Sequence, residues 1–141
     1  MSGSFSDYAE LKILDHITGK TSFTMPTIYV ALVTTVATDA SVGSTLVEPS
    51  TTGTAYARKS TAGADWNAAA SGATSNANAI TFATATGAGW GTIVGFALCD
   101  SGTAGAGNVI AWGSLTSKTI SSGDTASFAG GTPGDLQITL D

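Results

Sequence analysis

"GWGTIVGFALCD", residues 89–100, is the most apolar run in the chain. It reads as a central β-strand, and Gly95 within it allows a bulge or a close neighbour. The segments on either side are organised as its partners would be. On the C-terminal side "SGTAGAG" (101–107) is a hairpin-type loop, and "NVIAWGSLTSKTI" (108–120) is one bent strand or two successive ones, kinked near Gly113. "SSGD" (121–124) is a turn, followed by "TASFA" (125–129), a glycine turn at 130–134 and a last strand, "DLQITLD" (135–141).

On the N-terminal side "AITFATAT" (79–86) alternates Ile80, Phe82 and Thr84 with small residues, the pattern of a half-buried strand. "AGADWNAAASGATSNAN" (62–78) is a loop whose one large residue, Trp66, reads better as a plug at the end of a core than as a ligand contact. "AYARKST" (55–61) sets Tyr56, Arg58 and Ser60 against Ala57 and Lys59, as an edge or partly exposed strand would. Residues 36–54 form a long polar connection closed by the Glu48-Pro49 turn signal, and "TIYVALVTT" (27–35) is β-branched and aromatic. Roughly seven or eight short strands at about ten-residue spacing predict an all-β, antiparallel β-sandwich. A jelly-roll-like strand order is preferred to an immunoglobulin-like one, although the two give similar spacing.

One segment does not fit the β pattern. "SDYAELKILDHITGKTSF" (6–23) has close-set charges and apolar residues at helical steps. Ser6 suits the N-cap, Asp7 and Glu10 the first turn, and Gly19 the left-handed position past the end. Tyr8, Leu11, Leu14 and Ile17 recur every third residue, giving a short N-terminal α-helix with an apolar stripe. That stripe either covers one end of its own domain or meets a neighbouring subunit. The chain therefore divides into a helix and anchor segment, 1–24, and a β-sandwich domain, 25–141. Candidate interface residues are Tyr8, Leu11, Leu14, Ile17, Phe23 and Trp66.

Composition points the same way. The chain has 141 residues, 43% of them apolar, enough for one domain with a real core. Charged residues are 11%, under half the ~25% usual for soluble domains, so much of the surface is expected to meet other protein. Net charge is −5 and no basic stripe is present, which argues against a nucleic-acid partner. No apolar run approaches the ~20 residues of a membrane helix, and no secretory signal is read at the start. The single cysteine, Cys99, excludes an internal disulfide and reads as a small buried apolar residue.

The raw material for catalysis is sparse. His16 is the one histidine, so a two-histidine metal site within the chain is excluded, and no G-x-S-x-G elbow occurs. "GAGWG" (87–91) lacks the spacing, the lysine and the following helix of a phosphate loop. The ten carboxylates sit mostly in turns, where they bond the local backbone, with no calcium-loop pattern among them. The expectation is a protein that is not an enzyme and holds no cofactor and no metal.

The order of segments resembles a family of small tailed-bacteriophage virion proteins commonly labelled tail-fibre-like. It is carried nearly end to end by "YAELKILDHITGK", "IYVALVTT", the "EP" before "YARK", Trp66, "NAITFATAT", "WGTIVGFALCD", "VIAWGSL" and "GDTASFAGG…LQITLD". The resemblance implies a non-enzymatic particle component with a β-sandwich body, located in the virion and assembled in the host bacterial cytoplasm. One compact domain leaves no room for a fibre shaft, so a capsid decoration (cement) protein is expected, a homotrimer seated on the major capsid protein lattice. The alternative is a tail, tail-fibre or baseplate attachment protein with a host-surface-binding β domain. Partners would be virion proteins and copies of the chain, with no nucleic acid and no membrane.

Overall fold

The chain runs through β1 (Gly3–Phe5), α1 (Asp7–Ile17), β2 (Ile28–Val33), β3 (Lys59–Thr61), β4 (Ala73–Ser75), β5 (Ile80–Thr84), β6 (Gly91–Cys99), β7 (Val109–Ile120), β8 (Thr125–Phe128) and β9 (Gln137–Thr139). These come from a computed structural model, which describes residues 3–139. Five strands form one antiparallel sheet in the order β1-β7-β6-β2-β3, so the apolar 89–100 run supplies its middle strand. Two antiparallel ribbons, β4–β9 and β5–β8, make the second layer. The fold is all-β and sandwich-like with one short N-terminal helix, as the strand spacing predicts.

Period-two alternation sorts the residues of the large sheet between its faces. Val30, Leu32, Phe96, Leu98 and Ile110 point to the ribbons, which answer with Ile80, Phe82, Phe128 and Ile138. Trp90 closes one end of this core, edge-on to Tyr56 at 5.4 Å and to Phe82 at 6.1 Å. Such pairs contribute about 0.5–1.5 kcal/mol each beyond area burial. The opposite face carries small residues, Ala31, Ala97, Cys99 and Val109, with Leu46 and Trp112 packed over them. The 36–54 connection lies across that face, held by Thr34 N–H to the Val47 carbonyl (2.8 Å) and Gly43 N–H to the Gly107 carbonyl (2.9 Å).

β7 is one strand with an irregularity. Ile93 and Gly95 are two residues apart, yet their partners Lys118 and Ser114 are four apart, so β7 bulges at 115–117. Gly95 sits at this slip because a Cβ there would lie 2.7 Å from the Gly113 carbonyl oxygen. "AYARKST" is strand only from Lys59, where it forms the edge of the sheet. Tyr56 and Arg58 are buried, not exposed along an edge, because polar bonds draw both inward. Two three-residue strands, β1 and β4, carry too little periodicity to be read in sequence. β1 lies within the expected anchor segment and extends the large sheet. Leu140 and Asp141, the end of the predicted last strand, lie outside the described residues.

Candidate functional site

The helix α1 is fastened at both ends. Ser6 is extended, accepts the Ala9 N–H at 3.3 Å and donates its hydroxyl to the Val109 carbonyl. Its own N–H bonds the Ile110 carbonyl at 3.1 Å, so the cap is also a rivet to β7. At the other end Gly19 takes a φ of 74°. Gly19 N–H bonds the His16 carbonyl (3.1 Å) and Lys20 N–H the Asp15 carbonyl (2.9 Å). This is the Schellman pairing that a left-handed glycine permits. His16 Nδ1 then accepts the Phe23 N–H at 3.1 Å and ties down the returning chain.

The six candidate residues separate into three groups. Tyr8 and Phe23 face the body, half-buried and edge-on to each other at 6.4 Å, with the Lys12 ammonium 5.6 Å from the Tyr8 ring centroid. Leu11, Leu14 and Ile17 face away and are 66%, 54% and 69% exposed. Trp66 is half-buried elsewhere, its Nε1–H bonded to Thr61 Oγ1 at 3.1 Å, beside a shallow groove shared with Met25, Pro26 and Ile28.

Helix geometry explains the division. At about 100° per residue, a step of three falls about 60° short of a full turn. A strict every-third pattern therefore winds round the helix. It begins at Tyr8 on the body side, while Ala9 is fully buried and Ile13 half-buried, and it has already rotated outward by Leu11. The predicted single stripe is thus a body contact followed by an unpartnered apolar ridge. Asp7, Glu10 and Asp15 lie exposed beside that ridge.

A second feature was missed in the sequence. An open groove of about 780 Å³ lies between the bulged part of β7 and β8, its lining divided evenly between apolar residues such as Leu115, Ala126 and Phe128 and polar or charged ones such as Ser114, Lys118 and Asp135. The irregular "GSLTSK" stretch held the clue, since a bulge there bends β7 away from its neighbour.

The one buried ion pair among the described residues is structural in geometry. Arg58 Nη2 meets Glu48 Oε2 at 2.7 Å and Nε meets Oε1 at 2.9 Å, while Nη1 donates to the Ser101 and Ala106 carbonyls. Tyr56 OH and Gly105 N–H donate to the same carboxylate at 2.8 and 3.1 Å. Burial and then the Glu48 charge push the Tyr56 phenol well up from its ordinary value. Burial is the largest single influence on the Arg58 guanidinium and would lower it, but the Glu48 hydrogen bonds together with the charges around it hold Arg58 above its ordinary value. Each of these donor atoms already has an acceptor within the chain. Cys99 is buried and its thiol is pushed up to about 12 by that burial. Among the described residues, no group of three or more His, Cys, Asp or Glu is placed to hold a metal, and no helix is long and apolar enough to cross a membrane.

A family model described as Gp80, podophage GP4 fiber I protein gp80, matches residues 4–139. None of the curated proteins compared with the chain matches it.

Proposed function

The chain belongs to the podophage GP4 fiber I protein gp80 family, and from that membership we propose that it is a non-catalytic structural subunit of a tailed-phage virion, joined to neighbouring protein through the outer face of α1. The observation that carries this reading is the exposure of Leu11, Leu14 and Ile17 on a helix capped and bonded at both ends. A rigid helix that turns three large aliphatic residues to water has spent its fastening on presenting them, and such ridges mark protein contacts. Attachment of this kind stabilises the bound form by mass action, and several linked copies make weak single contacts sufficient.

Two seats on the particle have support. The family's description as a fibre protein supports a place in the fibre apparatus at the tail. The 11% charged composition supports decoration of the major capsid lattice, as a trimer seated where capsid subunits meet. Copy number separates them: few copies confined to the tail favour the first, many spread over the head the second.

The attachment reading is tested with the triple variant Leu11→Ser/Leu14→Ser/Ile17→Ser in particle assembly. It is expected to fold as the parent does and to be lost from purified particles; normal incorporation overturns the reading. Deleting residues 1–20 is a poorer test, because it also strips β1 from the sheet.

A further inference from the structure

We propose that the open edge of β8 takes up an extended segment of another virion protein as an added β-strand, seated in the groove beside β7. This rests on the reading of the chain as a virion subunit and gives it a second contact, apart from the α1 ridge.

The groove runs along a strand edge. Thr125, Ala126, Ser127 and Phe128 all line it, although successive residues of a strand point to opposite faces. A hollow over one face would collect only every second residue. β8 pairs on one side alone, with β5, and no backbone hydrogen bond joins it to β7 among the described residues. Ladder parity shows which groups are open. The Asp124 carbonyl accepts the Ala85 N–H at 2.8 Å, so the main chain faces β5 at Asp124 and again at Ala126 and Phe128. Thr125 and Ser127 turn their N–H and C=O the other way, and both residues are exposed. Across the groove, the Ile120 carbonyl accepts the Trp90 N–H at 2.8 Å, so Ile120 and Lys118 face β6 while Ser117 and Thr119 face away from it. There β1 covers the edge of β7 only from Ala111 to Gly113.

An added strand answers each of these features. Open main-chain donors and acceptors are met by another main chain. A helix, whose main chain is bonded to itself, meets none of them. The even mix of apolar and polar lining suits a strand, with its polar backbone and alternating side chains. On β8, Ala126 and Phe128 pack against the core, while the Thr125 and Ser127 hydroxyls bond those of Thr84 and Thr81 on the outer face at 2.7 and 2.9 Å. The seated segment therefore carries apolar residues at every second position and small polar ones between. Lys118 and Asp135 in the groove lining, one of each sign, match a segment without net charge. Nothing on β8 blunts its edge. Its sequence, "TASF", has neither charge nor proline, and the bulge of the ribbon lies on β5, where Thr81 and Thr84 are three apart against two for Ser127 and Thr125. A third strand also completes a ribbon that two strands alone hold only marginally.

Hydrogen exchange on the full chain, free and in purified particles, reads the contact. The Thr125 and Ser127 amides should exchange freely in the free chain and be slowed about tenfold or more in particles. Equal exchange in the two states overturns the proposal. Protection that appears in the free chain as its concentration rises makes the occupant a second copy, and overturns the assignment to another protein. Ser127→Pro removes an N–H on the open edge, where proline is tolerated, and should keep the parent's stability but reach particles at roughly a tenth of its level or less. Ala126→Pro, whose N–H faces β5, should be strongly destabilised. Equal destabilisation by the two prolines overturns the assignment of the open edge. A stable Ser127→Pro chain incorporated normally overturns strand addition and leaves the α1 reading standing. Loss of Ser127→Pro, with normal incorporation of Leu11→Ser/Leu14→Ser/Ile17→Ser, supports strand addition and overturns the ridge as the attachment.

Discussion

Arg58 and Leu14 reverse the usual distribution of residues in opposite ways. Arg58 and Glu48 are charged and buried, while Leu11, Leu14 and Ile17 are aliphatic and face water. The first exception is completed within the chain, since each charged group has its acceptors or donors around it. The second has no completion within the described residues. Buried charge that is fully bonded speaks of local architecture; exposed apolar surface on a rigid element speaks of something outside the molecule. The two regions therefore answer differently to the same kind of substitution.

Glu48→Ala is expected to have the largest effect. It strips the carboxylate from a buried guanidinium, leaves Gly105 N–H without its acceptor and leaves Tyr56 OH only the Leu32 carbonyl at 3.2 Å. Removing one partner of a buried pair typically costs about 3–5 kcal/mol. Urea unfolding should show a fall of that size in the extrapolated unfolding free energy at neutral pH. The double variant Glu48→Leu/Arg58→Met should recover much of the loss, because no unpaired charge remains. A single variant as stable as the parent breaks the contrast, since the pair would then be dispensable.

Asn76→Ala comes next and extends the contrast to a neutral group. Asn76 is fully buried; its Nδ2 donates to the Asn78, Phe128 and Ala129 carbonyls, and its Oδ1 accepts the Leu136 N–H at 2.8 Å. One side chain thus ties the β8 end to the segment entering β9. Leaving such groups unbonded costs about 1–3 kcal/mol, and hydrogen exchange at Leu136 should quicken with it. Unchanged exchange there would mean that the ribbons hold each other without this amide.

The ridge should respond in the opposite sense. Leu14→Ser alters a residue 54% exposed, so folding stability should stay within about 0.5 kcal/mol while particle attachment is lost. A large loss of stability would show that the ridge is core and would remove the basis of the comparison.

How much of this was legible in sequence follows from what each signal measures. Periodicity located β2, β5, β6 and β7 and the sandwich-like class, because each carries enough residues to show its alternation. The caps Ser6 and Gly19 were legible because their chemistry is local. The stripe of α1 was visible, but not its division into inner and outer parts, which depends on a drift that a three-residue count conceals. Arg58 and Tyr56 were misplaced because their partners, at Glu48, Leu32 and Ser101, lie 8 to 43 residues away. The groove arises from a bulge between two strands, and no single segment records it.

The smallest expected effect concerns Asp65, a carboxylate clamp like Glu48 but turned to solvent. Its Oδ2 accepts the Ala62 N–H at 2.8 Å and its Oδ1 accepts from Asn78 Nδ2 at 3.1 Å. These bonds favour the charged form, the backbone one most, so the carboxyl titrates below its ordinary value of 3.8. A group whose folded value is depressed contributes stability above its unfolded value and loses it as pH falls through the folded one. Acidification should therefore loosen the Ala62–Asp65 turn below about pH 4, while the ridge, with no part in this titration, keeps its contacts until the body opens. Side-chain carboxyl shifts followed by NMR should place the Asp65 midpoint below the ordinary value, and Asn78→Ala should raise it part of the way back. An unperturbed midpoint would show that solvent competes away a clamp of the same form that burial makes strong at Glu48, and the contrast between the two carboxylates would then measure burial alone.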